Sequence, residues 1–347
     1  MRLVEADVAY TFDDFVLEPG RSLIESRKHP DITAPVIDFP LKSPIFSAPM
    51  DTVTELEMAL AMDEVEAGSV IHRYMTVAKQ VEIAEKVLHG HMISNVFFAV
   101  GSVNDADERV PALYASGVRL FCVDVANGHN IHCWRTVEMI RANYPDVKIM
   151  AGNVCTYEGA KQLVKSGATL LRVGVGSGAV CTTRLVTGHG CPQLSAIESC
   201  ALAKSDGKDI AIVADGGIRH SGDIVKALAA GADMVMVGSL LAGTTQTPGQ
   251  IIEEDGRLFK YYQGMASEKS RANFFEKSKA GLPVEGISTK VPYMGKSAVK
   301  IIEGLCKSIR VGLAYTGASN IQELRRLARW RRVTNAGYIE GTPHGKR

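Results

Sequence analysis

The sequence predicts an α/β protein built as a closed (β/α)8 barrel, and three observations carry that expectation. Eight short apolar runs, mostly rich in β-branched residues, recur along the 347 residues: 44–47 (PIFS), 69–72 (SVIH), 96–100 (VFFAV), 120–125 (LFCVDV), 148–151 (KIMA), 170–175 (LLRVGV), 210–214 (IAIVA) and 234–237 (MVMV). Segments of helical character lie between them, among them 55–66, 77–88, 133–143, 157–166, 197–204 and 221–230. Continuous apolar strands alternating with amphipathic helices make a parallel sheet buried on both faces. The units recur about every 25 residues, which suits a closed barrel. A doubly wound open sheet is the alternative.

Ahead of the first unit, residues 11–19 (TFDDFVLEP) read as a strand or loop covering one end. The strand ends then run Pro49-Met50-Asp51, His72-Arg73, Gly101-Ser102, Asp124 to Gly128, Gly152-Asn153, Asp215-Gly216-Gly217 and Gly238-Ser239. Glycines and polar side chains on one side of every strand form the rim on which barrel enzymes place their catalytic groups. The interval between the sixth and seventh strands is longer than the others by about fifteen residues, an excess that a functional loop explains.

That excess is the loop 174–197, GVGSGAVCTTRLVTGHGCPQLSAI. Alternating glycines at 174, 176 and 178 let the backbone turn inward and grip an ion or a phosphate. Cys181 follows them, with the hydroxyls of Thr182 and Thr183 next in line. A thiol beside a hydroxyl that passes protons is the layout of a covalent nucleophile; the plain alternative is a glycine-rich surface loop with a small buried cysteine. The turns Asp215-Gly216-Gly217 and Gly238-Ser239 close the seventh and eighth strands, where barrels commonly bind phosphate. The helix starting near Ser221 would offer free N–H groups there, and Asp215 suits a ribose diol.

Composition excludes several classes. A net charge of +1 gives no global field toward nucleic acid or membrane surfaces. No apolar run reaches eighteen residues and the start is not signal-like, so the expected compartment is the cytoplasm. The seven cysteines lack zinc-site spacing, and His129 and His132 lack a third partner. Beyond the barrel, 251–262 reads as a hairpin about Asp255-Gly256, 266–290 as a polar excursion suited to a lid, and 297–311 and 319–328 as helices. The basic run from Arg325 to Arg332 reads as a solvated helix face.

These motifs, taken in order, resemble the IMP dehydrogenase and GMP reductase family: TFDDFVLEP, PMDTVTELEMA, DVANGH, AGNV, GVGSGAVCTTR with GHGCPQ, ADGG, GSLLAGT, VEG and AYTGA. The resemblance covers nearly the whole chain. It implies one barrel domain over 1–347, with the catalytic loop 174–197, a flap at about 266–295 and no regulatory domain between His72 and Val96. It implies a homotetramer that binds a purine mononucleotide, with Cys181 attacking C2 of the base and the carbonyls of Gly176, Gly178 and Cys181 holding K⁺. Thr183 and Glu285 would relay protons, with Asp124 beside the reacting centre. Asp215, Gly216, Gly217, Gly238, Ser239, Gly264, Met265 and Ala266 would bind substrate. Ser26, Arg27, Arg73, Asp124, Val125 and Ala126 would face the dinucleotide, NADPH in a reductase or NAD⁺ in a dehydrogenase.

Within the family the flap favours the reductase. Dehydrogenases activate water with an Arg-Tyr pair there, whereas this flap reads Ala272-Asn273-Phe274-Phe275, with Arg271 just before it and no tyrosine after it. Other positions depart from the reductase pattern: Gly238-Ser239 in place of two glycines, Val311 to Ala314 without hydroxyls, Leu282 where reductases carry an arginine, and Arg73 in place of a catalytic lysine. Ala179 replaces a serine usual in both enzymes. A non-catalytic nucleotide-binding protein is the remote alternative.

Overall fold

The computed structural model describes residues 7–34, 41–102, 104–206, 209–274 and 283–343. The chain first makes a 3-10 turn at Phe12–Asp14, capped by Thr11, and strand β1 (Phe15–Leu17). Eight parallel strands then alternate with helices. In order they are β2 (Ile45–Ser47), α1 (Leu56–Glu64), β3 (Gly68–Ile71), α2 (Val77–Glu85), β4 (Val96–Val100), α3 (Asn104–Ala115), β5 (Leu120–Asp124), α4 (Ile131–Asn143), β6 (Lys148–Val154), α5 (Tyr157–Ser166) and β7 (Leu170–Val173). After β7 come a short helix α6 (Thr183–Thr187), α7 (Gln193–Ala201), β8 (Ala211–Asp215), α8 (Ser221–Ala229) and β9 (Met234–Val237). β9 pairs with β2 through Ile45–Val235, Phe46–Met236 and Ser47–Val237, which closes the barrel. The open-sheet alternative is thereby excluded.

The strand period of two divides side chains between an inner and an outer core. Phe46, Val70, Phe97, Ala99, Cys122 and Met150 pack inside the barrel with residues of the later strands. Their neighbours, such as Ile45, Ile71, Phe98, Phe121 and Ile149, pack outward against the helices. Ala34 and Leu41 pair with each other and join the inner cluster. Phe46 and Phe97 meet edge to face at 5.7 Å, and that ring explains Gly68: a Cβ there would lie 2.2 Å from Phe46 Cε1.

The observed elements correct several expectations. Helix α3 was not anticipated, because the segment is polar on balance and holds Pro111, which forfeits a backbone hydrogen bond. Ala106, Val110 and Leu113 bury one face of it regardless. Within residues 11–19, Thr11, Phe12 and Asp13 lie over the carboxyl ends of the barrel strands, as expected, while β1 runs antiparallel to β13 (Trp330–Arg332) and Lys226 holds the segment through the carbonyls of Phe12 and Phe15.

After the barrel, β10 (Ile252–Glu254) and β11 (Arg257–Gln263) form the expected hairpin, with Asp255 and Gly256 at φ 50° and 71°. Helix α9 (Glu268–Phe274) follows, and β12 (Ser288–Pro292) returns to pair with β11 as a third strand. Phe275 and Leu282 of the flap lie outside the described residues. Helix α10 (Ala298–Thr316) overruns its expected end at 311 and stops at Gly317, whose φ is 83°. Helix α11 (Ile321–Leu327) and α12 (Asn335–Glu340) flank β13. The basic run is therefore not one helix face: Arg325 donates to Leu228 O, Ala232 O and Asp233, whereas Arg331 pairs with Glu18 from a strand.

Gly68→Ala should destabilise the protein by about 1–3 kcal/mol, because the buried Phe46 ring has no room to move. Urea unfolding of Gly68→Ala with and without Phe46→Leu checks this, and the second substitution is expected to restore part of the loss.

Candidate active site

The carboxyl ends of the barrel strands open into a cleft of about 600 Å³. Three inward-facing positions at the last turn of their strands form its floor: Asp124 follows Cys122, Arg172 follows Leu170 and Asp215 follows Val213, each by two residues. Arg172 is 6% exposed. It donates to Asp124 Oδ1 at 2.5 Å and to Asp215 Oδ2 at 2.8 Å. Burial works against the guanidinium charge, but the two carboxylates outweigh it and hold the pKa well above the ordinary arginine value. Asn153 adds a second donor to Asp215 Oδ2 at 2.8 Å while also holding Gly174 O. Beneath them, burial pushes the Cys122 thiol up to about 12, so that cysteine is inert.

The loop after β7 is folded over this floor by its glycines. Gly174 has φ 144°, and a Cβ on it would lie 2.0 Å from Asp215 O. Gln193, 3% exposed, spans the loop base: its Nε2 donates to Val173 O at 2.7 Å and its Oε1 accepts from Ser177 Oγ at 2.9 Å. Cys181 N–H then turns back to Gly178 O at 3.1 Å.

Cys181 is tied across the cleft to a segment more than a hundred residues later. Thr182 N–H donates to Glu285 O and Ile287 N–H donates to Val180 O, both at 3.0 Å, so that Cys181 faces Gly286 as in an antiparallel pair. This short ladder delivers the Glu285 side chain to the thiol. Cys181 Sγ donates to Thr183 Oγ1 at 3.2 Å, and Thr183 Oγ1 donates to Glu285 Oε2 at 2.9 Å. All three residues are half-buried and line the cleft. A thiol, a hydroxyl and a carboxylate in series form a proton path ending on a nucleophile.

Gly216, Gly217, Gly238 and Ser239 also line the cleft. Tyr262 closes that corner; its Oη would stand 2.9 Å from a Cβ on Gly238, and burial raises its phenol pKa. Arg73, Tyr74, Val125 and Ala126 line it as well. The loop bearing Arg73 is braced from below by Arg109, 2% exposed, which reaches Gln80 Oε1 at 2.9 Å and Asp105 Oδ1 at 2.9 Å. Gln80 in turn holds His72 O and Ala99 O, and Asp105 accepts Gly101 N–H. Tyr74 N–H donates to His72 Nδ1, and His72 Nε2 faces Glu55 Oε1 at 3.2 Å.

A family model described as "IMP dehydrogenase / GMP reductase domain" matches residues 9–344. The chain belongs to the IMP dehydrogenase/GMP reductase family. Similar proteins include inosine-5'-monophosphate dehydrogenase of Aquifex aeolicus, 40% identical over 91% of this chain and 68% of that protein. The corresponding protein of Bacillus subtilis is 42% identical over 75% of this chain and 54% of its own length. Among solved structures, a cysteine-to-alanine variant of GMP reductase from Trypanosoma brucei, in complex with guanosine 5'-monophosphate, superposes with a TM-score of 0.93. It is 26% identical, and the match covers 99% of both chains.

Most residues named from the family motifs converge on the cleft: Cys181, Thr183, Glu285, Asp124, Asp215, Gly216, Gly217, Gly238, Ser239, Gly264, Met265, Ala266, Arg73, Val125, Ala126, Gly176 and Gly178 all line it. Ser26 and Arg27 do not. Arg27 lies 5.3 Å over the ring of Tyr315, near the end of α10. The N-terminus of α8 is also absent from the lining, and Asp223 Oδ2 accepts the N–H groups of Arg219 and His220 beside it at 3.0 Å. Polar residues missed from sequence include Arg172, Gln193, Tyr74 and Tyr262. The first had a signal, a lone charge at inward parity in an apolar strand.

Arg172→Leu should cost about 3–5 kcal/mol in urea unfolding, since it leaves two carboxylates facing each other at the barrel mouth. Adding Asp124→Asn is expected to recover part of that loss.

Proposed function

We propose that this protein is a GMP reductase, converting GMP to IMP and ammonia through a covalent bond between Cys181 and C2 of the purine. The observation that supports it best is the chain of hydrogen bonds from Cys181 through Thr183 to Glu285. Attack by the Cys181 thiolate on C2 makes the 2-amino group the leaving group, and an amine departs readily only when protonated. Glu285 passes a proton through Thr183 to that nitrogen, and the thiolate returns as the leaving group in the second half-reaction. Asp215, held by Arg172 and Asn153, receives the ribose hydroxyls, while Gly216, Gly217, Gly238 and Ser239 receive the phosphate. The GMP bound to the Trypanosoma brucei structure supports this substrate class.

NADPH, when bound, supplies hydride to C2. Arg73, Val125 and Ala126 would face it across Asp124. K⁺, when bound, would be held by the carbonyls of Gly176, Gly178 and Cys181, of which Gly178 O also accepts Cys181 N–H at 3.1 Å. All seven cysteines are free thiols, as a reducing cytoplasm favours, and no described helix is long and apolar enough to cross a membrane. The homotetramer is carried over from the family.

A second reading, IMP dehydrogenase, has one specific observation behind it. Arg271 and Tyr74 both line the cleft and interact electrostatically. An arginine and a phenol, the pair missing from the flap sequence, are thus supplied by two separate elements. The names of the Aquifex and Bacillus relatives agree with this reading.

Paired absorbance assays decide between the two. A reductase consumes NADPH only when GMP is present and releases ammonia; a dehydrogenase makes NADH from IMP and NAD⁺. Cys181→Ala should abolish either activity. Thr183→Val and Glu285→Gln should each lower turnover by about 10²–10⁴-fold, whereas retention of wild-type turnover by both would remove the relay. Replacing K⁺ with Li⁺ should lower turnover without unfolding the protein.

A further inference from the structure

The chemistry above uses one of the seven cysteines. Two others, Cys155 and Cys191, lie behind the catalytic loop and not among the residues lining the cleft. The continuation of β7 brings them together. Gly174 N–H donates to Val154 O at 2.9 Å, and Cys191 N–H donates to Val175 O at 3.1 Å. Residues 155 and 191 therefore flank the same two-residue stretch. Their thiols interact directly, both are half-buried, and both pack against the same apolar cluster. Cys200 stands just deeper, its Sγ turned to Thr156 O at 3.5 Å, and burial keeps it protonated. The interaction raises the Cys155 thiol and lowers Cys191, which makes Cys191 the readier thiolate of the two. The Arg184 guanidinium, hydrogen-bonded to Cys191 O, adds a positive charge beside that sulfur.

We propose that Cys155 and Cys191 form an oxidation site, closing into a disulfide on reaction with a peroxide. The Cys191 thiolate attacks one peroxide oxygen and breaks the O–O bond, giving Cys191 sulfenic acid and, after protonation, water. The Cys155 sulfur then attacks the sulfenic sulfur; the S–S bond forms, hydroxide leaves, and the Cys155 proton makes it the second water. Two thiols are oxidised and one peroxide is reduced. An S–S bond of about 2.05 Å demands that the two chains approach each other. Gly188 and Gly190, at φ 72° and 152°, can absorb it. The backbone of Cys191 binds Val175 through its N–H and Arg184 through its carbonyl, one on each arm of the loop that carries Cys181. Closing the disulfide therefore pins that loop from behind.

This site is independent of which reaction the cleft performs, and its test is independent too. In a Cys181→Ala background, which removes the catalytic thiol, the protein is treated with hydrogen peroxide, alkylated without reductant, digested and mapped by mass spectrometry. The expected result is a linked 155–191 peptide, lighter by two hydrogens than its parts, that disappears with dithiothreitol and is missing in Cys155→Ser and Cys155→Ala. Without peroxide at neutral pH, iodoacetamide should label Cys191 ahead of Cys155, Cys122 and Cys200. Recovery of Cys155 and Cys191 as separate alkylated peptides after peroxide overturns the proposal. So does recovery of Cys191 as sulfinic acid with Cys155 alkylated.

Discussion

The site depends on one short stretch of main-chain pairing. Two hydrogen bonds, Thr182 N–H to Glu285 O and Ile287 N–H to Val180 O, join the loop after the barrel's sixth strand to a segment that returns from the flap. Neither side chain of the relay has to find the other by itself. Backbone geometry fixes both, and the side-chain entropy of assembly is correspondingly small. The three-stranded sheet of β10, β11 and β12 supports this pairing, since β12 begins two residues after Gly286 and lies along β11. The excursion beyond the barrel is thus a structural arm that carries a carboxylate to a thiol.

Beneath that arm the barrel supplies a charged floor at some energetic cost. A guanidinium that is 6% exposed loses hydration, and two carboxylates recover it only because both are within hydrogen-bond distance. Such an arrangement adds little net stability. What it does provide is position, because Asp124 and Asp215 are held on either side of one rigid group, at the ends of two different strands. The Arg109 cluster serves the β3 and β4 ends in the same way, tying His72, Ala99 and Gly101 to one buried cation.

Much of this was legible in the sequence, for physical reasons that can be named. Strands buried on both faces leave uninterrupted apolar runs, so all eight barrel strands were visible. The extra length before β8 marked the catalytic loop, and its alternating glycines marked the turns that bring Cys181 over the floor. Helix α3 escaped notice because Pro111 and a polar surface mask its buried face. That residues 11–19 cover one end was legible, but the pairing of β1 with β13 left no local signal, because the partner lies over three hundred residues away. The Thr183–Glu285 contact spans 102 positions and left no local signal; only the family resemblance suggested it.

The central claim is that the Cys181 sulfur bonds to a purine carbon during turnover. The direct measurement is the mass of the Cys181 peptide after acid quench of enzyme mixed with GMP, or with IMP and NAD⁺. The account predicts a nucleotide adduct on Cys181 with one of these substrates. An unmodified Cys181 peptide with both, recovered while product continues to form, would contradict it.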